Sequence, residues 1–321
     1  MPRPMVSVCV LAYKHREYIE KAIDSVLEQV CDFDVEIVVG EDCSNDGTKE
    51  ILLDYEKKYP GKFVLLLNEV NIGANKNLYN VLTHCKGKYI ANLESDDFWC
   101  DPYKLKKQVE YLEKNESVSA VGTNCYMYTE VNGTSTKLVS LMPYECNRIY
   151  KFKDFLKKGM FIHTNTLVYR NNIPFSNEDF KKTLLDGATM GDIFMRSCIY
   201  HGGSIYCSND ITLCHRQTPN LASSFQANQI NNANKYTWMM INIVNALEKY
   251  FADNYDYQLI VVNRMAFLMF SYLMKRIKLD IKEYMQIYSK LAFKHKIILF
   301  ERVFSLFLAK LRKFLYRKIN G

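Results

Sequence analysis

The sequence has 321 residues and ten cysteines, yet no CxxC pair and no short repeated spacing, so the ligand sets of structural zinc sites are missing. Neither G-x-G-x-x-G nor G-x-x-x-x-G-K-[ST] occurs, which removes the main support for a dinucleotide oxidoreductase or a P-loop enzyme. No uncharged apolar run approaches the ~18 to 20 residues that span a bilayer. No small-residue cleavage site precedes the charged stretch from Lys14, so the N-terminus does not read as a signal peptide. Glycine and proline, at 13 and 7, are too few for a collagen-like or low-complexity chain.

The chain does contain ordinary globular material, 48% hydrophobic and 24% charged. Aromatics are plentiful through 23 Tyr and 18 Phe, against only 2 Trp, which suits much packed and half-buried surface. Several cysteines sit inside apolar runs, as Cys9 does after Val6-Ser7-Val8, where a free thiol behaves as a small hydrophobe. That usage fits a reducing compartment and predicts a cytoplasmic protein. The net charge of +7 is concentrated at one end: between Lys290 and the C-terminus nine Lys and Arg face the single acid Glu301.

Short β-branched runs alternate with longer amphipathic ones over the first hundred or so residues, the sign of a parallel sheet flanked by helices. Strands are expected at Val6 to Leu11, Val35 to Val39, Phe63 to Leu67 and Tyr89 to Leu93. Right-handed crossovers would then bring three polar loops to one sheet edge: Ala12 to Arg16, Glu41 to Asp46, and Glu94 to Asp97. Further on, a strand at Val118 to Tyr128 leads to a hairpin turn at Asn132-Gly133. Asn165 to Tyr169 and Ser204 to Leu213 read as extended, and Asp192 to Tyr200 as helix. From Phe225 the pattern is helical alone, which divides the chain into residues 1–224 and 225–321.

Glu94, Asp96 and Asp97 collect three acids within four residues at the end of an apolar strand, an arrangement that is costly unless water or a cation neutralises it. Hard oxygen ligands of this kind favour Mg or Mn, which bind carboxylates together with substrate phosphates. Taken alone the residues also fit a solvated acidic turn before the helix that follows Pro102. The Glu41-Asp42 loop is similarly double: an acid there could accept from a base N–H or ribose hydroxyl, while Ser44 and Asp46 suit a helix cap.

Together, Val6 to Tyr13, the EDCSNDGT segment at 41–48, Asn71-Ile72-Gly73 with Asn77, LESDDFW at 93–99, and Gly191-Asp192 followed by Gly202-Gly203 resemble glycosyltransferase family 2. These are inverting enzymes of the GT-A fold, and the resemblance spans residues 5 to 216. It implies a Rossmann-like mixed α/β sheet flanked by helices, and the pattern change at Phe225 bounds that domain as residues 1–224 and leaves 225–321 as a helical, basic C-terminal extension. It further implies that Leu11, Ala12, Tyr13, Glu41 and Asp42 hold the nucleotide, most often uridine. Asp96 and Asp97 would form the DxD-type element with Mn or Mg, Asp96 near the ribose or a metal-bound water and Asp97 as a direct ligand. Asp192 matches the general base, and His215-Arg216 the loop that closes over the diphosphate. Glu41 stands where Asp is usual, and Gly191 where an acid usually precedes the base. The implied activity is transfer of a hexosyl or N-acetylhexosaminyl group from a nucleotide sugar, UDP-linked by expectation, to a saccharide or lipid-linked saccharide in polysaccharide assembly. The alternative is a non-catalytic nucleotide-sugar-binding or scaffold protein that retains the fold, for which Gly191 is the best support. His163 is a further candidate, touching the acceptor, against the plainer reading of a structural, hydrogen-bonded histidine.

Between Ile297 and Ile319 apolar residues recur at helical intervals among Arg302, Lys310, Arg312, Lys313, Arg317 and Lys318. A cationic amphipathic helix rich in Phe and Leu predicts peripheral contact with anionic lipid through residues 297–319, at the cytoplasmic face of a membrane; packing on a protein surface is the other reading. Nucleic acid is not expected as a partner, because no recognised module is present and the remaining loops are acidic.

Overall fold

In the computed structural model, residues 4–131, 134–140, 144–158, 162–187, 191–217, 233–274, 277 and 279–320 are described. The Asn132-Gly133 turn and the division at 224/225 lie outside them. The chain forms two compact units, one of Met1–Phe152, Met160–Asp186 and Gly191–Pro219, the other of Lys153–Gly159, Gly187–Met190 and Asn220–Gly321.

The first unit starts as an alternation of β1 (Val6–Ala12), α1 (Ile19–Leu27), β2 (Val35–Glu41), α2 (Thr48–Lys58), β3 (Phe63–Leu67), α3 (Ala74–His84) and β4 (Tyr89–Glu94). These strands lie parallel in the order β3-β2-β1-β4. Nearly every residue of β1 is buried, as a parallel strand covered on both faces requires, and α1 packs Ile19, Ala22, Ile23 and Val26 inward at helical spacing. Asn77 of α3 donates from Nδ2 to the Gly40 carbonyl at 2.8 Å, and a Cβ at Gly40 would overlap Asn77 and Val81, so the missing side chain lets α3 close on β2.

The chain continues through β5 (Phe98–Trp99), α4 (Lys104–Lys114), β6 (Val118–Val131), β7 (Thr134–Ser140), β8 (Arg148–Tyr150), α5 (Phe152–Lys158), β9 (Val168–Arg170), α6 (Glu178–Lys182), α7 (Gly191–His201) and β10 (Ser204–Arg216). They extend the sheet to ten strands, β4-β9-β6-β10-β5, with β7 on β6 and β8 on β10. Because β9 runs antiparallel to both β4 and β6, the sheet is mixed. One local expectation changes: Asn165 is not in a strand but in a 3-10 turn, Thr164–Thr166, that precedes β9. The His163 ring caps that turn by accepting from Asn165 N, and Thr166 Oγ1 donates to the His163 carbonyl at 2.7 Å, so local side-chain bonding wins over extension.

Register delivers the site. Ala12 pairs with Glu41 and Leu11 with Glu94, so the three polar loops begin at one edge. Along β10 the register with β6 shifts between Cys207 and Ile211 and again before Leu213, after which Cys214 faces Phe98. These irregularities bring His215 and Arg216 beside Asp97.

The second unit holds α8 (Ala233–Phe251), α9 (Gln258–Leu273), α10 (Ile281–Lys290) and α11 (Phe293–Asn320). Its core includes Ile243, Val244, Leu247, Val261, Val262, Met265, Ile287 and Leu299. Asp280 caps α10 through Glu283 N at 3.1 Å, and Glu283 in turn accepts from Trp238 Nε1 at 2.9 Å. Among the described residues no helix is long and apolar enough to cross a membrane.

Candidate active site

The nucleotide-side loops are fastened to one another by backbone bonds. Ser95 N donates to the Leu11 carbonyl at 3.1 Å and Asp42 N to the Ala12 carbonyl at 3.0 Å. Buried Asp42 accepts from Ile72 N at 2.8 Å, Gly73 N at 3.0 Å and Asn68 Nδ2 at 3.1 Å, so it shapes the Asn71-Ile72-Gly73 turn. Glu41, also buried, accepts from the Ser44 backbone and hydroxyl, which ties its carboxylate into the loop that follows β2. Tyr13 leaves its ring 41% exposed at this edge.

The carboxyl cluster lies at the end of β4. Oxygens of Glu94, Asp96 and Asp97 come within 4.8 Å of one another, and Asp97 shares a second such group with His163 and His215. Asp97 is buried and its oxygens accept from Asn165 Nδ2 at 2.7 Å and Arg216 N at 2.8 Å, with His215 Nδ1 at 3.1 Å from both. Burial pushes the Asp97 carboxyl up, but the His215 hydrogen bond and charge, the nearby His163 and the Arg216 N–H outweigh it and hold the group below its usual range. His215 is correspondingly raised, Asp97 overcoming the desolvation.

The other two acids go the opposite way. Asp96 is raised by burial and then by the Asp97 charge. Glu94 reaches water, yet dense surrounding protein and then the Asp97 and Asp96 charges push its carboxyl up to about 8, with Asp192 adding to the repulsion. Glu94, Asp96 and Asp97 therefore form one acidic group, and a divalent cation with hard oxygen ligands fits that donor set. Asp97 has spent most of its lone pairs on protein donors, which leaves Asp96 and Glu94 with coordination capacity to give.

Asn165, which reaches Asp97 across 68 residues of sequence, carried no signal in the chain and was absent from the expected site. Its turn rests on a polar floor. Fully buried Lys104 on α4 donates from Nζ to Gln108 Oε1 at 2.6 Å and to the Thr166 carbonyl at 3.2 Å, and lies over the Trp99 ring at 4.7 Å. Gln108 Nε2 reaches Thr166 O at 2.9 Å and Val121 O at 2.8 Å, while Trp99 Nε1 donates to Asn165 O at 3.2 Å. Desolvation lowers the Lys104 ammonium to about 7.

Arg216 is packed rather than free. Its Nε donates to the Asp96 carbonyl at 2.9 Å, and its guanidinium lies 4.5 Å from the Tyr18 ring and 5.1 Å from that of Tyr128. The His163 ring, 4.4 Å from His215, is pulled down to about 4 by desolvation and then by the His215 charge, so it stays neutral and can accept from Asn165 N. Asp192 opens α7 and pairs with Arg196 Nη2 at 2.6 Å. Gly191 has a packing reason: a Cβ there would overlap Asn75 Oδ1 and lie 3.0 Å from Leu184 Cδ1, so α3 occupies the space an acidic side chain would need.

Residues 7–173 match the family model for Glycosyl transferase family 2, which is more than half of the chain. The chain belongs to that family. It is 35% identical over 165 residues to an uncharacterized protein of Mycobacterium tuberculosis, covering 51% of this chain and 46% of the relative. An uncharacterized glycosyltransferase of Haemophilus influenzae is 31% identical over 177 residues, with 53% of each chain covered. This glycosyltransferase family 2 chain thus spans about half the length of the relatives it matches. Among solved structures, S. aureus TarS 1-349 in complex with UDP-GlcNAc aligns with a TM-score of 0.57 at 16% identity, over 92% of this chain and 79% of that one. A mannosyltransferase of Pyrobaculum calidifontis in complex with GDP-Man and Mn2+ aligns with a TM-score of 0.50 at 14% identity, over 96% of this chain and 87% of that one. At such identities the likeness establishes the fold, a GT-A-type mixed α/β sheet with added C-terminal helices.

Proposed function

We propose that the chain transfers a sugar, with inversion, from a nucleotide diphosphate donor, a UDP-sugar by preference, to a hydroxyl of a saccharide or lipid-linked saccharide. The observation that carries this reading is the convergence of Glu94, Asp96 and Asp97 at the end of β4, next to the edge formed by β1 and β2. Leu11 to Tyr13 with Glu41 and Asp42 would form the nucleotide side, Asp42 by fixing the 71–73 turn and Tyr13 by offering an exposed ring. Glu94, Asp96 and Asp97 would hold Mn or Mg, which when bound supplies positive charge to the leaving diphosphate. Arg216 keeps the Asp96 and Asp97 backbone and carboxylate in place and adds positive charge at the same spot. Asp192 would take the acceptor proton, with Arg196 fixing the carboxylate, a general-base contribution of ~10²- to 10⁴-fold. His163, neutral and beside His215, would touch the acceptor. The TarS and mannosyltransferase structures, bound to UDP-GlcNAc and to GDP-Man with Mn2+, support the donor class and the ion.

Thermal unfolding with UDP, GDP, CDP or TDP, each with and without Mn, tests the reading without an acceptor. A rise in Tm with UDP that needs Mn and disappears in Asp97→Ala is the expected result. No rise with any nucleotide would leave the non-catalytic scaffold as the better account.

A further inference from the structure

Helix α11 is apolar on two opposite sides. One side is packed: His295 and Leu299 are buried and Arg302, Val303 and Leu306 half-buried along it. Its N-terminal end is pinned by Asp256, which lies 2.9 Å from His295 Nε2 and accepts from Lys294 Nζ at 2.9 Å. The opposite side carries Phe293, Ile297, Phe300, Phe304, Phe307 and Leu308, exposed by 78%, 47%, 75%, 56%, 36% and 40%. Their spacing of three and four residues makes one stripe, about 22 Å long at ~1.5 Å per residue. Val303 and Ile298 fall on or beside the packed face, and the side chains from Leu311 onward lie outside the described ones.

We propose that this outer stripe is a docking face for an anionic lipid surface, with α11 lying in the interface plane. A contiguous row of exposed aromatic and aliphatic side chains needs a partner to cover it. Charge selects which. Lys296 flanks the stripe, Lys294 on its other side is paired with Asp256, and the stretch from Lys290 onward holds nine cations against one acid, so a negative surface is attracted. A second copy of the chain placed on the same face would bring two such cationic stretches together. The inference goes beyond sugar transfer and stands whether or not the chain transfers a sugar.

Co-sedimentation of the full chain with vesicles of phosphatidylcholine containing one third phosphatidylglycerol tests it, against pure phosphatidylcholine. Binding to the anionic vesicles alone, weakened by 0.5 M salt and reduced about tenfold or more in Phe300→Ser/Phe304→Ser, is expected. Both side chains are exposed, so the double variant keeps its circular dichroism and melting profile. Equal sedimentation of wild type and variant, or none of either, would overturn the proposal. So would a concentration-dependent dimer in sedimentation velocity that the two substitutions dissolve, since the face would then belong to a second copy.

Discussion

Lys104→Met probes how the floor beneath Asn165 is built. The Lys104 ammonium is fully buried, its hydrogen bonds go to the neutral acceptors Gln108 Oε1 and Thr166 O, and no carboxylate lies within ion-pair distance among the described residues. Desolvation lowers it from 10.5 to about 7. The unfolded chain therefore binds more protons than the folded one between about pH 7 and 10.5, and stability rises with pH across that window. At about 1.4 kcal/mol per unit, wild type should gain about 2 kcal/mol between pH 7 and pH 9 relative to a protein with no ionisable group at this position. Met is one atom shorter than Lys and replaces most of its apolar stem without a charge, and Thr166 O retains its bond from Gln108 Nε2 at 2.9 Å. Only Gln108 Oε1 is orphaned, a cost of about 1–3 kcal/mol that does not vary with pH. Urea unfolding of both proteins at pH 7 and pH 9 measures the difference, from which Glu94 and every other titrating group cancel. The substitution should therefore look more favourable at pH 7 than at pH 9. Stability differences that are the same at both values would show that Lys104 is hydrated or paired and would refute the reasoning.

Three further perturbations address the site itself. Asn165→Leu leaves one oxygen of the buried Asp97 carboxylate without its 2.7 Å donor, and should cost about 2–3 kcal/mol in urea unfolding; a loss under about 0.5 kcal/mol would mean the bond contributes nothing. Gly191→Glu, which installs the acid usual in the family, should destabilise by about 1–3 kcal/mol through overlap with Asn75. Asn75→Ala should return part of that loss, and additive effects in the double variant would argue against the clash. Asp192→Asn is expected to keep the nucleotide-dependent rise in Tm while transfer falls by about 10²-fold or more, and unchanged transfer would remove Asp192 from the base role.

The strands of the first hundred residues were legible because burial on both faces selects uninterrupted Val, Ile and Leu, and that pattern is local. The loops at their ends were legible for the same reason, since parallel pairing with this register leaves the acids no other edge. Asn165 and Lys104 were not. Each earns its place through partners 62 to 68 residues away, and an Asn before a Thr, or a Lys on a helix, has the same local appearance whether buried or solvated. The tail was half legible: helical periodicity showed that α11 is amphipathic, but a helix with apolar residues on two opposite sides does not reveal which side the protein covers.

The fates of the three clustered acids bear on why they are together. In a solvated turn all three would reach water and titrate alike. Here residues from three separate segments, Asn165, His215 and Arg216 with Asp97 itself, converge to keep one carboxylate ionised inside the protein. That fixed negative charge is then part of what raises Asp96 and Glu94. Nothing in the packing demands such repulsion, since a single polar residue at 94 or 96 would relieve it. An arrangement that stabilises one anion and thereby penalises its two neighbours is favourable once a cation joins them, because the penalty becomes attraction at the same distances. The donors to Asp97 thus hold one anion of the cluster in place, while Asp96 and Glu94 take no side-chain donor among the described residues.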